Sequence, residues 1–351
     1  MVSAGEERTY VGLSRGRLEQ ILVRMRAVHA VVIGDACLDM YWSADMTLSV
    51  LSRETPHFPL PVVEERAFPG AGGNVAANLA ALGLAHTSLV TVFGDDWRTR
   101  ELQCALLRHH VDFSKSIVSP ERVTPAYCKP LRRGLSHVEY EDPRIDFENR
   151  TPLPESLEIE LLERIRSAVT VADAICVADQ LAQGAITPRV REVLSALVGD
   201  GKVIVVDSRN QIGLYRGVVA KPNELEALRA VFPDCVSSEA GEIRQREIAL
   251  LLASKIGGPV CMTLGAGGCS WTENGRVTYV PTVPAPPPVD FVGAGDAFAA
   301  ALAAALAAGA SGPEAAAVAN LAAAVVVRKL GTTGTASPDE IRERFEEVTH
   351  K

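Results

Sequence analysis

Asp290-Phe291-Val292-Gly293-Ala294-Gly295-Asp296 runs directly into the alanine-rich apolar stretch Ala297 to Ala308. Three small residues ahead of a predicted helix let backbone N–H groups converge with no side chain in the way. The first turn of a helix leaves its N–H groups unpaired and carries partial positive charge, which suits an anion such as a phosphoryl group. Asp296 stands at the mouth of that site. A carboxylate there is costly unless it has a task, and taking a proton from an attacking hydroxyl is the obvious one. The same residues also read as a Gly-rich turn with an Asp cap before a core helix, and spacing alone leaves both readings open.

Upstream, apolar runs with the period of buried strands alternate with helical patterns. Val28 to Ile33 ends in Gly34-Asp35, the form of a strand buried on both faces. Asn74 to Leu82 has helical spacing after Gly72-Gly73 and stops at Gly83. Ser88 to Phe93, Ala174 to Ala178, Val203 to Val206 and Val260 to Leu264 read as strands. Trp97 to His109, Pro188 to Val198, Glu224 to Val231, Arg244 to Ile256 and Glu314 to Val327 read as helices. Repeated β-α-β order predicts an α/β fold with a mainly parallel sheet covered on both sides. Ligands in such sheets gather at the C-terminal ends of strands, where Asp35, Asp207, Thr263 and the Gly293 loop all fall.

Composition narrows the function classes. A chain of 351 residues, 47% hydrophobic and 22% charged, can bury a large core. Its formal charge of −8 argues against a nucleic-acid surface. The seven cysteines (37, 104, 128, 176, 235, 261 and 269) form no C-x-x-C pair and read as reduced, mostly buried thiols of a cytoplasmic protein. No H-E-x-x-H pattern marks a zinc site. The charged start, with Glu6, Glu7 and Arg8, has no secretory character, and the Ala297 run is too short to span a bilayer. No membrane or nucleic-acid partner is expected.

Residues 40–66 and 124–142 break the helical rhythm with β-prone, aromatic and proline residues, including Tyr41-Trp42, Phe58 to Val63, Tyr127 and His137 to Tyr140. They read as strands of a small lid, which matters because phosphoryl donors must be shielded from water. Pro284 to Pro288 reads as an extended run delivering the chain to the Gly293 loop.

Taken together these motifs resemble the ribokinase-like (PfkB) carbohydrate kinases. The family's D-T-x-G-A-G-D motif appears as Asp290 to Asp296, and its N-terminal Gly-rich signature as Pro69-Gly70-Ala71-Gly72-Gly73-Asn74. Asn223-Glu224-Leu225-Glu226 resembles its N-x-x-E motif and Thr263-Leu264-Gly265-Ala266-Gly267-Gly268 its T-x-G-x-x-G. Within the family, Gly34-Asp35-Ala36-Cys37-Leu38-Asp39-Met40-Tyr41-Trp42 and Val325 to Thr332 are similar to the heptose-7-phosphate kinases of ADP-heptose synthesis. Five features depart from that pattern: Gly70-Ala71 replaces a Gly pair, Phe291 replaces Thr, Ala178-Asp179-Gln180-Leu181-Ala182-Gln183-Gly184 stands where the heptose kinases have D-Y-x-K-G and so loses a basic residue, Asp207-Ser208-Arg209 replaces D-P-K, and Glu139 stands where that branch carries Arg.

The resemblance implies a single ribokinase-like three-layer domain over residues 1–351, with no nucleotidyltransferase domain following Lys351. It implies an ATP-dependent kinase of a sugar or sugar phosphate, heptose 7-phosphate by branch. A kinase of an unphosphorylated sugar or nucleoside, and a non-catalytic ligand sensor, stay as alternatives. Asp296 would be the base, with the N–H groups of Gly293, Ala294, Gly295 and Asp296 stabilising the transferring group. Asp39, Gly70 and Asn74 would bind the sugar, and Lys129, Arg132 and Arg133 an acceptor phosphate. Asn223 and Glu226 would organise Mg²⁺, Glu226 through water. Thr263, Gly265, Gly268, Asn320 and Arg209 would line the nucleotide. The apolar lid residues Tyr41, Trp42 and Phe58 make a homodimer reasonable.

Overall fold

The computed structural model describes residues 7–10, 12–136, 138–233 and 245–349. The readings that touch Glu6, His137, Cys235 and Arg244 lie outside them. In chain order the strands are β1 (Glu7–Thr9), β2 (His29–Gly34), β3 (Ala36–Asp45), β4 (Val62–Ala71), β5 (His86–Val90), β6 (Val92–Gly94), β7 (Ile117–Ser119), β8 (Ala126–Arg133), β9 (Glu139–Glu141), β10 (Ile145–Phe147), β11 (Ala174–Asp179), β12 (Val203–Ser208), β13 (Val219–Ala220), β14 (Val260–Thr263), β15 (Cys269–Glu273) and β16 (Arg276–Val280). The helices are α1 (Arg15–Met25), α2 (Gly72–Ala81), α3 (Trp97–Arg108), α4 (Glu155–Val169), α5 (Pro188–Ala196), α6 (Glu224–Val231), α7 (Gln245–Ile256), α8 (Ala294–Ala307), α9 (Gly312–Val326) and α10 (Pro338–Thr349).

The main sheet has nine strands in the order β1-β16-β15-β14-β13-β12-β11-β2-β5. From β14 to β5 every neighbouring pair is parallel; β15 and β16 continue the sheet antiparallel, and β1 forms the edge parallel to β16. Continuous apolar runs produce this sheet because successive residues point to opposite, equally dry faces. Val31, Ile33, Ile175, Val177 and Val206 enter one core with Leu161 of α4, Val190 of α5, Leu228 of α6 and Leu252 of α7. Ala30, Val32, Cys176 and Val205 enter the other with Leu22 of α1, Leu79 of α2, Leu302 of α8, Val318 of α9 and Ile341 of α10. Each fully buried leucine here contributes about 2 kcal/mol. The result is the three-layer α/β sandwich expected from the sequence. Among the described residues no helix is long and apolar enough to cross a membrane.

Local signals set the helix ends. Thr187 accepts the Val190 N–H at 3.1 Å and Pro188 opens α5. One strand expectation needed adjusting. Ser88 to Phe93 is not one strand: Thr91 accepts the Ile117 N–H, and Val92–Gly94 then pairs with β7 in a separate two-stranded sheet. The helix α4 and the β15–β16 hairpin were not anticipated.

The second sheet is the lid, in the order β10-β8-β3-β4 with β9 on β8. It is broader than residues 40–66 and 124–142, because β3 starts at Ala36 and β4 continues to Ala71. Its base is rooted in the main core through Leu38, Met40, Ala126 and Cys128. Of the apolar lid residues, Phe58 is exposed but Tyr41 is buried under Arg66 and Lys129, so Tyr41 belongs to the inner face.

Candidate active site

The C-terminal ends of β12 and β14, the start of α8 and the inner face of the lid enclose a cavity of about 400 Å³. Asp39, Lys129, Arg209, Asn223, Glu226, Thr263, Gly293, Gly295 and Asp296, all anticipated from sequence, line it. Arg144, Tyr127, Gln180, Asp207 and Lys221 line it as well.

Gly293 precedes α8 with φ +78°, a left-handed conformation, and a side chain there would also meet Asn74 Nδ2 at 2.7 Å. This turn aims the first N–H groups of the helix into the cavity. The Ala294 N–H donates to Phe291 O at 3.2 Å, so it is occupied. The N–H groups of Gly293, Gly295 and Asp296 have no acceptor among the described residues and together form an anion cradle. Asp290 fixes the loop behind it, accepting from the Val292 N–H and the Gly331 N–H at 3.0 Å each.

Asp296 sits on the cavity floor. Loss of surrounding water raises its pKa from the ordinary carboxylate range to about 6, with Asn74 and Lys221 pulling it down and Asp207 pushing it up. Asn74 Nδ2 donates to its Oδ2 at 2.8 Å. Asn74 is itself fully buried, so it stands behind Asp296 rather than facing the cavity. Gly70 likewise contributes space rather than contact: a side chain there would lie 2.5 Å from Asp39 Oδ2 and 2.6 Å from Cys37 Sγ. Burial pushes the Cys37 thiol well up, and Asp39 adds to the effect, so Cys37 is a neutral thiol.

The lid wall follows from β-register. Asp39 pairs with Tyr127 and Tyr41 with Lys129, so alternate residues of β3 and β8 meet the cavity. Lys129 donates to the Tyr41 hydroxyl at 2.9 Å and lies over its ring. Burial raises the Asp39 pKa while Lys129, Arg144 and Arg209 oppose it. Arg132 and Arg133 do not reach this wall. Arg132 is paired with Asp142 at 2.9 Å and Arg133 is exposed at the strand end. On this wall sequence reasoning missed Arg144, which lies past the 124–142 segment, stacks on Tyr127 and, although it donates to Asp146 at 2.7 and 2.8 Å, lines the cavity.

On the opposite side Asn223 and Glu226 form a reciprocal capping box at the start of α6, with bonds of 2.9 and 2.8 Å. The pair thus caps the helix, and the two residues line the cavity all the same. The box uses one Glu226 oxygen, Oε2, and leaves Oε1 for a ligand shell. Buried Lys221 lies 3.2 Å from Asp207.

Gly265, Gly268 and Asn320 are elsewhere. Gly268 has φ +91° and a side chain there would strike Val280 O at 2.4 Å. That tight approach sets the Gly265–Gly268 turn against Val280–Thr282, which with Asn320 line a second, mostly apolar cavity of about 200 Å³. Asn320 Nδ2 donates to Val280 O at 3.0 Å. Asp35, which falls just past β2, turns away and accepts the N–H groups of Gln180, Leu181 and Ala185, pinning the loop that carries Gln180 to the cavity.

A parallel α/β sandwich with a β lid and an anion cradle beside a carboxylate defines a phosphotransferase with an alcohol acceptor. Residues 30–340 match the model of the pfkB family carbohydrate kinases, and the chain belongs to that family, whose members take the phosphoryl group from ATP. The bifunctional protein HldE of Geotalea uraniireducens is 34% identical over 334 residues, covering 94% of this chain and 65% of that protein. HldE of Chromohalobacter salexigens is 33% identical over 326 residues, covering 89% and 62%. The chain thus spans less than two thirds of the length of these relatives. Two solved structures share the fold. Arabidopsis thaliana ribokinase complexed with ribose and ATP superposes with a TM-score of 0.66 at 20% identity, covering 91% of this chain and 99% of that one. Escherichia coli phosphofructokinase-2 in complex with fructose-6-phosphate gives 0.68 at 18%, covering 92% and 99%.

Proposed function

We propose that this kinase transfers the γ-phosphoryl group of ATP to a hydroxyl of a phosphorylated sugar, with heptose 7-phosphate as the acceptor. The observation that carries the reading is one cavity with the anion cradle and Asp296 at one side and Lys129 and Arg144 on the lid at the other. A sugar phosphate spans such a site, its hydroxyl toward Asp296 and its phosphate toward the two cations. The motifs Gly34 to Trp42 and Val325 to Thr332, similar to the heptose kinases, and the likeness to HldE support the choice of sugar.

In this mechanism Asp296 accepts the hydroxyl proton as the acceptor oxygen attacks phosphorus in line, and the bond to the departing ADP breaks. The N–H groups of Gly293, Gly295 and Asp296 hold the charge on the transferring group, one such donor being worth about 3 kcal/mol. Asp39 accepts hydrogen bonds from sugar hydroxyls. Asn74 orients Asp296. Thr263 and Arg209 face the phosphate chain, and the apolar cavity beside Val280 and Asn320 receives the base.

Mg²⁺, when bound, neutralises phosphate charge. Among the described residues no cluster of three or more His, Cys, Asp or Glu can hold a metal alone, which fits an ion held mainly by phosphates and water. Glu226 Oε1, free of the capping box, would take one of those waters, with Asn223 beside it.

The proposal extends to a single domain and to a second copy packing on the lid loop, where Val50, Leu51, Phe58 and Val63 are exposed. Light scattering on Phe58→Glu tests the latter, which expects a monomer. The test of function is ADP formation from ATP with a panel of sugars, nucleosides and sugar phosphates. Stimulation by heptose 7-phosphate supports the reading. Turnover only with unphosphorylated acceptors overturns the choice of substrate, and no turnover overturns catalysis itself.

A further inference from the structure

We propose that Lys221 is a catalytic residue of this chain, its ammonium group placed against the transferring phosphoryl group. The inference rests on the kinase reading above and adds a residue that no motif in the sequence singled out. Lys221 directly follows β13, and its main-chain N–H donates to Val206 O at 2.9 Å. The side chain then runs into the cavity, although only 4% of the residue is exposed. Its Nζ lies 3.2 Å from Asp207 Oδ2 and 3.9 Å from where a side chain on Gly295 would begin. A full positive charge therefore stands beside the first turn of α8, where the unpaired N–H groups of Gly295 and Asp296 supply only partial ones.

Charge balance makes the position consequential. Asp207, Glu226 and Asp296 all line this part of the cavity, and each acts electrostatically on Lys221. Burial alone would lower the lysine pKa, but the three carboxylates hold it above its ordinary value. Three carboxylates facing a polyphosphate repel it, and a lysine buried among them offsets that repulsion. An ammonium group has three N–H donors. Only Asp207 takes one among the described residues. The remaining donors are available to phosphoryl oxygens, whose negative charge is distributed over three equatorial positions in the transition state. Lys221 keeps its proton throughout. The hydroxyl proton goes to Asp296, the new O–P bond forms at the acceptor, and the old one breaks at ADP.

The competing account is that Lys221 merely neutralises Asp207. Steady-state kinetics with ATP and heptose 7-phosphate separate the two. Lys221→Ala is expected to lower kcat by about 10²–10³-fold while the acceptor KM stays within roughly threefold. Ethylammonium, which fits the vacated space, is expected to restore kcat roughly tenfold in the variant and to leave wild type unchanged. A folded Lys221→Ala enzyme with wild-type kcat overturns the proposal. If Lys221→Ala fails to fold, the pair Asp207→Asn with Lys221→Met removes both charges together. A folded, slow double variant supports catalysis, and wild-type turnover in the pair shows a counter-ion and overturns it. Wild-type enzyme inactive with every sugar and sugar phosphate overturns the kinase reading and this inference with it, whereas active wild type with fully active Lys221→Ala overturns this inference alone.

Discussion

Asn74 Nδ2 donates to Asp296 Oδ2 at 2.8 Å, and this bond ties the first turn of α2 to the first turn of α8. Two glycine-rich turns far apart in sequence thereby become one site. The bond favours the ionised carboxylate and so opposes the rise that burial imposes on Asp296. Asn74→Ala should raise that pKa above about 6 and lower kcat by roughly 10–10²-fold. The measurement is the acidic limb of kcat/KM against pH. A limb left in place shows that Asn74 does not set the base.

Asp296 itself gives the sign of the pH dependence. A base works only when unprotonated, so activity should be near its plateau at pH 7 and fall as pH drops through about 6. Asp296→Asn removes the proton acceptor and keeps the shape. Turnover should drop by about 10³-fold or more, with ATP affinity nearly unchanged by titration calorimetry. Unchanged turnover would sink the assignment.

Much of this site was legible in the sequence because its chemistry is concentrated at turns. Gly293 lies in a turn that needs a left-handed residue, and Gly70 of β4 sits against Asp39 of β3, where only a small residue leaves room for the carboxylate. Asn74 was legible as a site residue but not in its role, since spacing cannot show which way a side chain on a helix faces. Lys221 and Arg144 were missed because lone basic residues read as surface; only the fold buries one and turns the other inward. The β15–β16 hairpin carried a usable signal in Asn274-Gly275, both at positive φ in the turn, which is the strongest short-range hairpin pattern. Helix α4 was legible too, with Leu157, Leu161, Leu162 and Ile165 at helical spacing on its buried face.

The phosphate grip discriminates between the lid cations. Lys129→Ala and Arg144→Ala should each raise KM for phosphorylated acceptors by about tenfold or more and leave unphosphorylated sugars little changed. Arg133→Ala, at the exposed end of β8, should change neither. Equal losses for both acceptor classes would show that Lys129 and Arg144 support the lid sheet and do not recognise phosphate.

Gly70→Ala tests the acceptor wall from behind. The added methyl group would lie 2.5 Å from Asp39 Oδ2 and 2.6 Å from Cys37 Sγ, closer than real contacts allow, so Asp39 must move. Acceptor KM should rise by roughly tenfold or more while ATP KM holds. A crystal structure of the variant with Asp39 undisplaced and acceptor KM unchanged would remove Asp39 from the sugar site.

Ala71 carries the last prediction, and it concerns stability before activity. It precedes α2 at φ +50°, ψ −131°, a conformation that suits glycine and strains any residue with a Cβ. Strain of this kind costs about 1–3 kcal/mol, whereas exchanging Ala for Gly loosens the unfolded chain by about 0.4–1 kcal/mol. Relief outweighs entropy, so Ala71→Gly should stabilise the fold by about 1 kcal/mol, a rise in Tm of roughly 2 °C for a chain this long. Ala71 also lines the acceptor cavity, so its methyl group occupies space there that glycine would free. A calorimetric Tm that falls in Ala71→Gly would mean that methyl contacts at the cavity wall outweigh the backbone strain.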